Sequence, residues 1–303
     1  MEIIIKVLKP VLFQNSQLIS TTAINADPDY NSGTTYPSGI RVSYNGVIYE
    51  SLQNSNLNKT PGLNPTWWQD RGATNQFAMF DHVIGTSTTA TTSLTVVYAP
   101  NSIFNSISLI NLDAAVVKIT IRDGSGGPIV YENTAGVAGS QSYSWSDYFF
   151  NDPLLKRTQI IFSDIPPYLN AHITLELTSS VGSLVSLAQL LVGDLVTLGK
   201  TEYGASAGIV DYSIKQTDEF GTTTFVKRAF SKRLNASFNI ENSNLNRVQS
   251  YLYTLRATPA VWIASDEVRF EETLIVYGFY KDFSTEISYP TFSKCNIEIE
   301  SLT

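Results

Sequence analysis

Apolar residues alternate with polar ones over short stretches along most of this chain, and Gly, Pro, Asn and Ser separate the stretches. The period-two pattern predicts half-buried strands, and its recurrence predicts a sandwich or barrel. The segments SLTVVYA, AVVKITIRD, GPIVYEN, TQIIFSDI, AHITLELTS, ETLIVYGFYKDF and CNIEIESL carry it. In one of them Val117, Ile119 and Ile121 alternate with Lys118, Thr120 and Arg122, so one face is expected in a core and the other in water. Asp123 to Gly127 then supplies turn chemistry for a hairpin. One stretch departs from this period: Leu245, Val248, Leu252 and Leu255 fall at helical spacing after the polar residues Asn242 to Asn244, with Pro259 just beyond. A single amphipathic helix near 245–255 is expected, packed on a sheet or barrel.

The opening MEIIIKVLKPVLF is apolar, but Glu2, Lys6, Lys9 and Pro10 interrupt it, so it reads as a strand rather than an export signal, with synthesis in the cytoplasm expected. The run LVSLAQLLVGDLVTLG holds Gln189 and Asp194 and is too short and polar to cross a bilayer, so no membrane insertion is expected. These patterns divide the chain into four spans. Residues 1–20 form an N-terminal strand joining an assembly domain, and 21–80 a small aromatic-rich β module. Residues 81–183 form a jelly-roll-like β-sandwich of about eight strands, and 184–303 a β-barrel-like domain with the helix. The predicted class is mainly β.

Composition narrows the function. A net charge of −7 leaves no basic stripe suited to phosphates, and the densest cationic run, Lys227 to Arg233, reads as a solvated strand face, so nucleic acid is not an expected partner. Cys295 is the only cysteine and the histidines are His82 and His172, so no disulfide framework and no zinc-ligand spacing exist. The acidic residues form no calcium-loop pattern, and no metal or organic cofactor is expected. Neither histidine lies in a nucleophile-elbow context, and GSGG has no helix with a Lys-Ser/Thr start behind it. With 27 Asp and Glu, a paired-carboxylate site stays open in principle, but no pair stands out. No enzyme activity is expected.

The most distinctive stretch runs YPSGIRVSYNGVIYESLQ and, beyond it, TPGLNPTWW. Ile40, Val42 and Tyr44 alternate before Asn45-Gly46, the favoured two-residue hairpin turn, and Val47 and Tyr49 follow. Aromatic rings on a small rigid β scaffold can stack on the apolar face of a sugar while nearby amides take its hydroxyls. The same rings can equally be the core of a module this small.

The segment from Tyr30 to Trp68 resembles the small chitin-binding type of carbohydrate-binding module, whose pattern runs aromatic, tyrosine, glycine, V-x-Y-x-G-x-x-Y, proline, tryptophan. It departs from that pattern at Tyr30, where the family has tryptophan. The resemblance implies Tyr30, Tyr36 and Trp68 as sugar-stacking candidates, and leaves Tyr44, Tyr49 and Trp67 as core or ligand residues. The continuation WWQDRGATNQFAMFD resembles a stretch of bacteriophage tail proteins in which a module of this kind runs into a β-sandwich. The later VGDLVTLGKTEYG, LRATPAVWIAS and VYGFYKDFSTEISYPTFSKCNIEIESL are similar to the C-terminal β domain of tail-tip or baseplate proteins. These resemblances imply a structural protein of the virion tail, forming a homo-oligomeric ring with other tail proteins, its module able to contact a host-surface glycan. They also imply an alternative, a lectin-like or glycan-degrading receptor-binding protein.

Overall fold

The computed structural model describes residues 4–137, 157–217, 219–265 and 271–302. Residues 138–156 of the expected sandwich span lie outside the described residues. Along the chain, β1 (Ile4–Pro10) and β2 (Leu18–Thr21) precede the module strands β3 (Arg41–Tyr44), β4 (Val47–Ser51) and β5 (Trp68–Ala73). Next come β6 (Thr88–Thr91), β7 (Ser93–Tyr98), β8 (Ser106–Asp113), β9 (Val116–Asp123), β10 (Ile129–Gly136), β11 (Gln159–Phe162) and β12 (Ala171–Thr178). The long β13 (Leu184–Thr201) leads to β14 (Ser206–Asp211), β15 (Ile214–Thr217), β16 (Thr223–Val226) and β17 (Phe230–Glu241). After the helix α1 (Leu245–Thr254) the chain closes with β18 (Ala260–Ile263), β19 (Ile275–Glu286) and β20 (Phe292–Ser301). The class is mainly β.

Six antiparallel strands close into a barrel in the order β13, β1, β18, β19, β20, β17, and the ring shuts where Lys200 and Thr201 of β13 pair with Asn239 and Phe238 of β17. Closure removes the unpaired edges that an open sheet would expose. Ile5, Val7, Leu234, Phe238, Trp262 and Ile297 belong to one buried cluster, in which Val248, Leu252 and Leu255 from the helical stripe also take part. The helix thus sits where its sequence spacing placed it.

The sandwich faces one sheet, β11-β8-β13-β6, with another, β10-β9-β12-β7-β2. Leu94, Val96, Val117, Ile119, Leu175 and Leu187 are among its fully buried residues. The expected β9–β10 hairpin is present, with Gly124 and Gly126 at positive φ in its turn.

One strand belongs to both bodies. Residues Leu184 to Gly193 of β13 pair with β6 and β8 in the sandwich, and Gly193 to Lys200 pair with β1 in the barrel. Its 18 residues correspond to about 60 Å at strand rise, far beyond an ordinary strand. The division between the bodies therefore falls inside β13 near Gly193, not at residue 184. A Cβ on Gly193 would lie 2.0 Å from the Lys9 carbonyl oxygen, so only glycine lets the two backbones cross so closely. A third cluster, with Leu8, Ile110, Leu191, Val261, Ile275 and Tyr277, fills the seam between barrel and sandwich.

Candidate functional site

The module is a three-stranded antiparallel sheet whose first hairpin turns at Asn45 and Gly46, both at positive φ. A Cβ on Gly46 would lie 2.9 Å from the Phe77 ring, so the turn is packed onto the segment that leaves the module. Asn15 Nδ2 donates to the Asn45 carbonyl at 2.7 Å from the entering side. Amide side chains clasp the module's two connections. Asn75 Nδ2 donates to Ile24 O and Thr89 O, and its Oδ1 accepts from the Thr89 N–H. Gln76 Nε2 donates to Ala23 O, and Asn25 Oδ1 accepts from the Gln76 N–H. Beneath the clasp Phe13 stacks on Phe80 at 3.9 Å. The module is fixed to the sandwich at both ends.

One face of the sheet carries charge: Glu50 sits between Arg41 at 3.2 Å and Arg71 at 3.0 Å, and hydrogen bonds first from Arg71 and then from Arg41 hold its carboxyl below the ordinary range. The other face carries the rings. Tyr36 and Trp68 meet edge to face at 5.4 Å, and Tyr30 packs 5.9 Å from Trp68 and 5.7 Å from Tyr44. Burial raises the pKa of both Tyr30 and Tyr49.

Of the two adjacent tryptophans, the stacking candidate Trp68 is the buried one, and Trp67, left open as core or ligand, is half-buried. Trp68 is 3% exposed and its indole N–H donates to Lys59 O at 2.6 Å, so it is the centre of the module core. Tyr36 is 7% exposed, and its hydroxyl accepts the Asn31 N–H at 2.7 Å. Neither offers a free face for stacking on a sugar. Tyr30, Tyr44, Tyr49 and Trp67 are half-buried, and Lys59 Nζ stands 5.5 Å from the Trp67 ring centroid. Trp67 is the tryptophan of the pair that reaches the surface. Trp68 is the first residue of β5 and pairs with Ser51, and that register turns it inward. Nothing in the dipeptide itself reveals this parity.

Cys295 is fully buried in β20 with its sulfur 3.4 Å from Thr285 Oγ1, and burial raises its pKa. His172 lies half-buried on β12. Among the described residues no group of three His, Cys, Asp or Glu could hold a metal ion. No described helix is long and apolar enough to cross a membrane.

A second surface was not singled out from the sequence. Among the described residues, strand β14 pairs only with the start of β17 and β15 only with β16, so the two pairs form an arm beyond the barrel. Tyr212 roots it through its hydroxyl, 3.1 Å from a Glu300 oxygen. Ile209, Phe225 and Phe230 are 70%, 73% and 52% exposed, and Phe220 at the turn between β15 and β16 is 93% exposed. Cavities of about 400 Å³ and 450 Å³ adjoin at Phe230, the first also lined by Ile209 and Phe225, the second by Ile110 and Tyr277. The sequence signal for this arm was weak: Gly204, Gly208 and Gly221 punctuate it, and its apolar residues do not alternate cleanly.

No family model matches this chain, and no curated protein matches it. A chain from the tail of an empty GTA particle, of C6 symmetry, is similar over 37% of this chain and 84% of its own length, at 11% identity and a TM-score of 0.28. A likeness of that size does not establish a shared fold.

Proposed function

We propose that this chain is a non-enzymatic structural component of a phage-type tail tip, in which copies join into a ring around the tail axis and the module faces outward. The observation that carries this reading is the arm. An isolated two-stranded ribbon is marginal in water, yet this one displays Phe220, Phe225 and Val226 to solvent. Exposed apolar residues grouped on one projecting element suit a surface covered by another subunit. If the arm of one copy lies on the body of the next, the contact is heterologous, and repetition closes it into a ring or extends it as a helix. The edge of β14 that no described strand pairs adds backbone donors and acceptors for such a joint. The tail setting rests on the resemblance running from Trp67 to the C-terminus.

In this reading the module, clasped rigidly to the sandwich, presents Trp67 and the half-buried tyrosines to a host glycan or to a neighbouring tail protein. Analytical ultracentrifugation with negative-stain microscopy tests the ring. Full-length protein should sediment as a closed oligomer at micromolar concentration, and a chain in which residues 214–226 are replaced by a short Gly-Ser turn should be monomeric. A monomeric full-length protein over that range would remove the ring from the proposal.

A further inference from the structure

The loop that leaves the module lies on the seam between barrel and sandwich, held there almost entirely by side chains. Asp81 organises it: Oδ1 accepts from the Val83 N–H at 2.8 Å and from Gln189 Nε2 at 3.2 Å, and Oδ2 accepts from Thr86 Oγ1 at 2.6 Å. Gln189 is fully buried on β13, and its Nε2 also donates to Val83 O. Asn111, at the sandwich side, donates to Ile84 O at 3.4 Å. The barrel contributes a single bond to this loop among those described: Tyr277 Oη, on β19, lies 2.6 Å from His82 Nδ1.

That bond has two unusual features. His82 adopts φ +62, a left-handed conformation unfavourable for a residue with a Cβ, so its backbone is held in place by what surrounds it. Tyr277 is 3% exposed, and burial raises its pKa far above the ordinary value, so its hydroxyl stays protonated; with the imidazole neutral and its proton on Nε2, that hydroxyl donates to Nδ1. An imidazolium would carry a proton on Nδ1. That N–H would donate to the tyrosine oxygen, inverting the bond, and the tyrosine's own proton would be left without an acceptor in the apolar cluster formed by Leu8, Ile110, Ile263 and Ile275.

We propose that the His82–Tyr277 hydrogen bond is an acid-released latch that holds the loop leaving the module against the barrel. The titratable and charged groups around it are Asp81 in its own loop, Tyr277 on β19 and Lys232 of β17, which lines the same groove; β13 and β8 contribute the neutral Gln189 and Asn111. Burial pushes the His82 pKa down, and the Asp81 carboxylate opposes that without cancelling it. Above the titration the loop is locked to the barrel; below it, only the sandwich bonds remain. A tail component with such a latch would loosen the loop over the seam in an acidic medium while the amide clasp keeps the module on the sandwich.

The chain has two histidines, which makes the test direct. In protein labelled with 15N-histidine, His172→Gln assigns the remaining imidazole signal to His82. Its midpoint is expected below about 6.5, the value of an unperturbed imidazole. Tyr277→Phe should move that midpoint upward. Hydrogen exchange, corrected for intrinsic rates, should show the Val83 and Thr86 amides losing at least tenfold protection between pH 7.5 and 5.0 in the parent but not in His82→Asn, since asparagine tolerates the left-handed backbone and does not titrate. A His82 midpoint at or above that of the unfolded chain overturns the latch, as does an equal loss of protection in His82→Asn. If that variant does not fold, the Tyr277→Phe midpoint decides, and an unmoved value overturns the proposal.

Discussion

Strand β17 passes through two environments. From Leu234 to Ile240 it is a barrel strand with neighbours, and Leu234, Ala236, Phe238 and Ile240 are buried while the intervening Asn235, Ser237 and Asn239 are not. Its first residues instead pair with β14 at the root of the arm, where Phe230 is 52% exposed. The same side chain stands on both sides of this transition, with Phe230 half exposed and Phe238 fully buried. Pairing alone therefore does not bury a strand residue. Burial needs a second layer, which the closed barrel and its helix supply and which no described element supplies to the arm. The barrel's apolar residues are held by folding; in the proposed ring the arm's would be covered by another copy.

The largest expected effect tests the barrel half of that contrast. Trp262 is fully buried, donates its indole N–H to Gly278 O at 3.1 Å and meets Tyr280 edge on at 5.9 Å. Trp262→Ala should cost about 3 to 5 kcal/mol in urea unfolding, since the cavity cannot collapse inside a closed ring of strands. A loss below about 1 kcal/mol would mean that the barrel interior is not the rigid core it looks to be.

The module gives the same contrast between neighbours in sequence. Trp68→Ala removes the centre of the aromatic cluster and should cost the module about 3 to 5 kcal/mol of local stability, read by hydrogen exchange of the β3–β5 amides. Trp67→Ala, on a half-buried ring at the edge of that cluster, should cost clearly less, about 1 kcal/mol. If Trp67 is a glycan contact, the same substitution should weaken binding on a glycan array several-fold. Equal stability losses for the two variants would erase the distinction between core and surface ring. Failure of the parent protein to bind any glycan would leave Trp67 as a protein-contact residue.

Much of this architecture is legible in the sequence because period-two alternation marks strands with one wet face. The Val117, Ile119, Ile121 face, the Asn45-Gly46 turn and the stripe from Leu245 to Leu255 all appear where the pattern puts them. Three features are not legible, each for a physical reason. The parity of Trp67 and Trp68 depends on where β5 enters register with β4, a pairing set by residues 17 positions apart. The double membership of β13 depends on which partners meet each half, and a long apolar-rich run reads the same in one sheet or two. The arm depends on the absence of a covering layer, which no local pattern encodes.

A smaller effect is expected where the module joins the sandwich. Asn75 bonds with groups on both sides of the connection, so Asn75→Ala leaves the Thr89 N–H and the Ile24 carbonyl without it. The expected loss is about 1 to 3 kcal/mol, the cost of stranding part-buried backbone groups. It should appear as lost protection at Thr89, with the barrel strands unaffected. Loss of protection in the barrel would mean that the module and barrel unfold as one unit, and the contrast between separately cored regions would fail.

The smallest stability change should accompany the largest change in association, and it tests the arm directly. Phe220 is 93% exposed, so Phe220→Ser removes almost no buried area from the single chain and should shift its unfolding free energy by less than about 0.5 kcal/mol. Phe225→Ser, at 73% exposure, should behave alike. If another copy covers these rings, each substitution removes an aromatic anchor from that joint, and such anchors carry about 2 kcal/mol or more of binding. Self-association measured by sedimentation equilibrium should then weaken by roughly thirtyfold, while the monomer's urea midpoint stays in place. A lowered urea midpoint with unchanged association would mean that the arm's rings stabilise their own chain, and the arm would join the barrel as a folded element instead of standing against it as a surface kept for a partner.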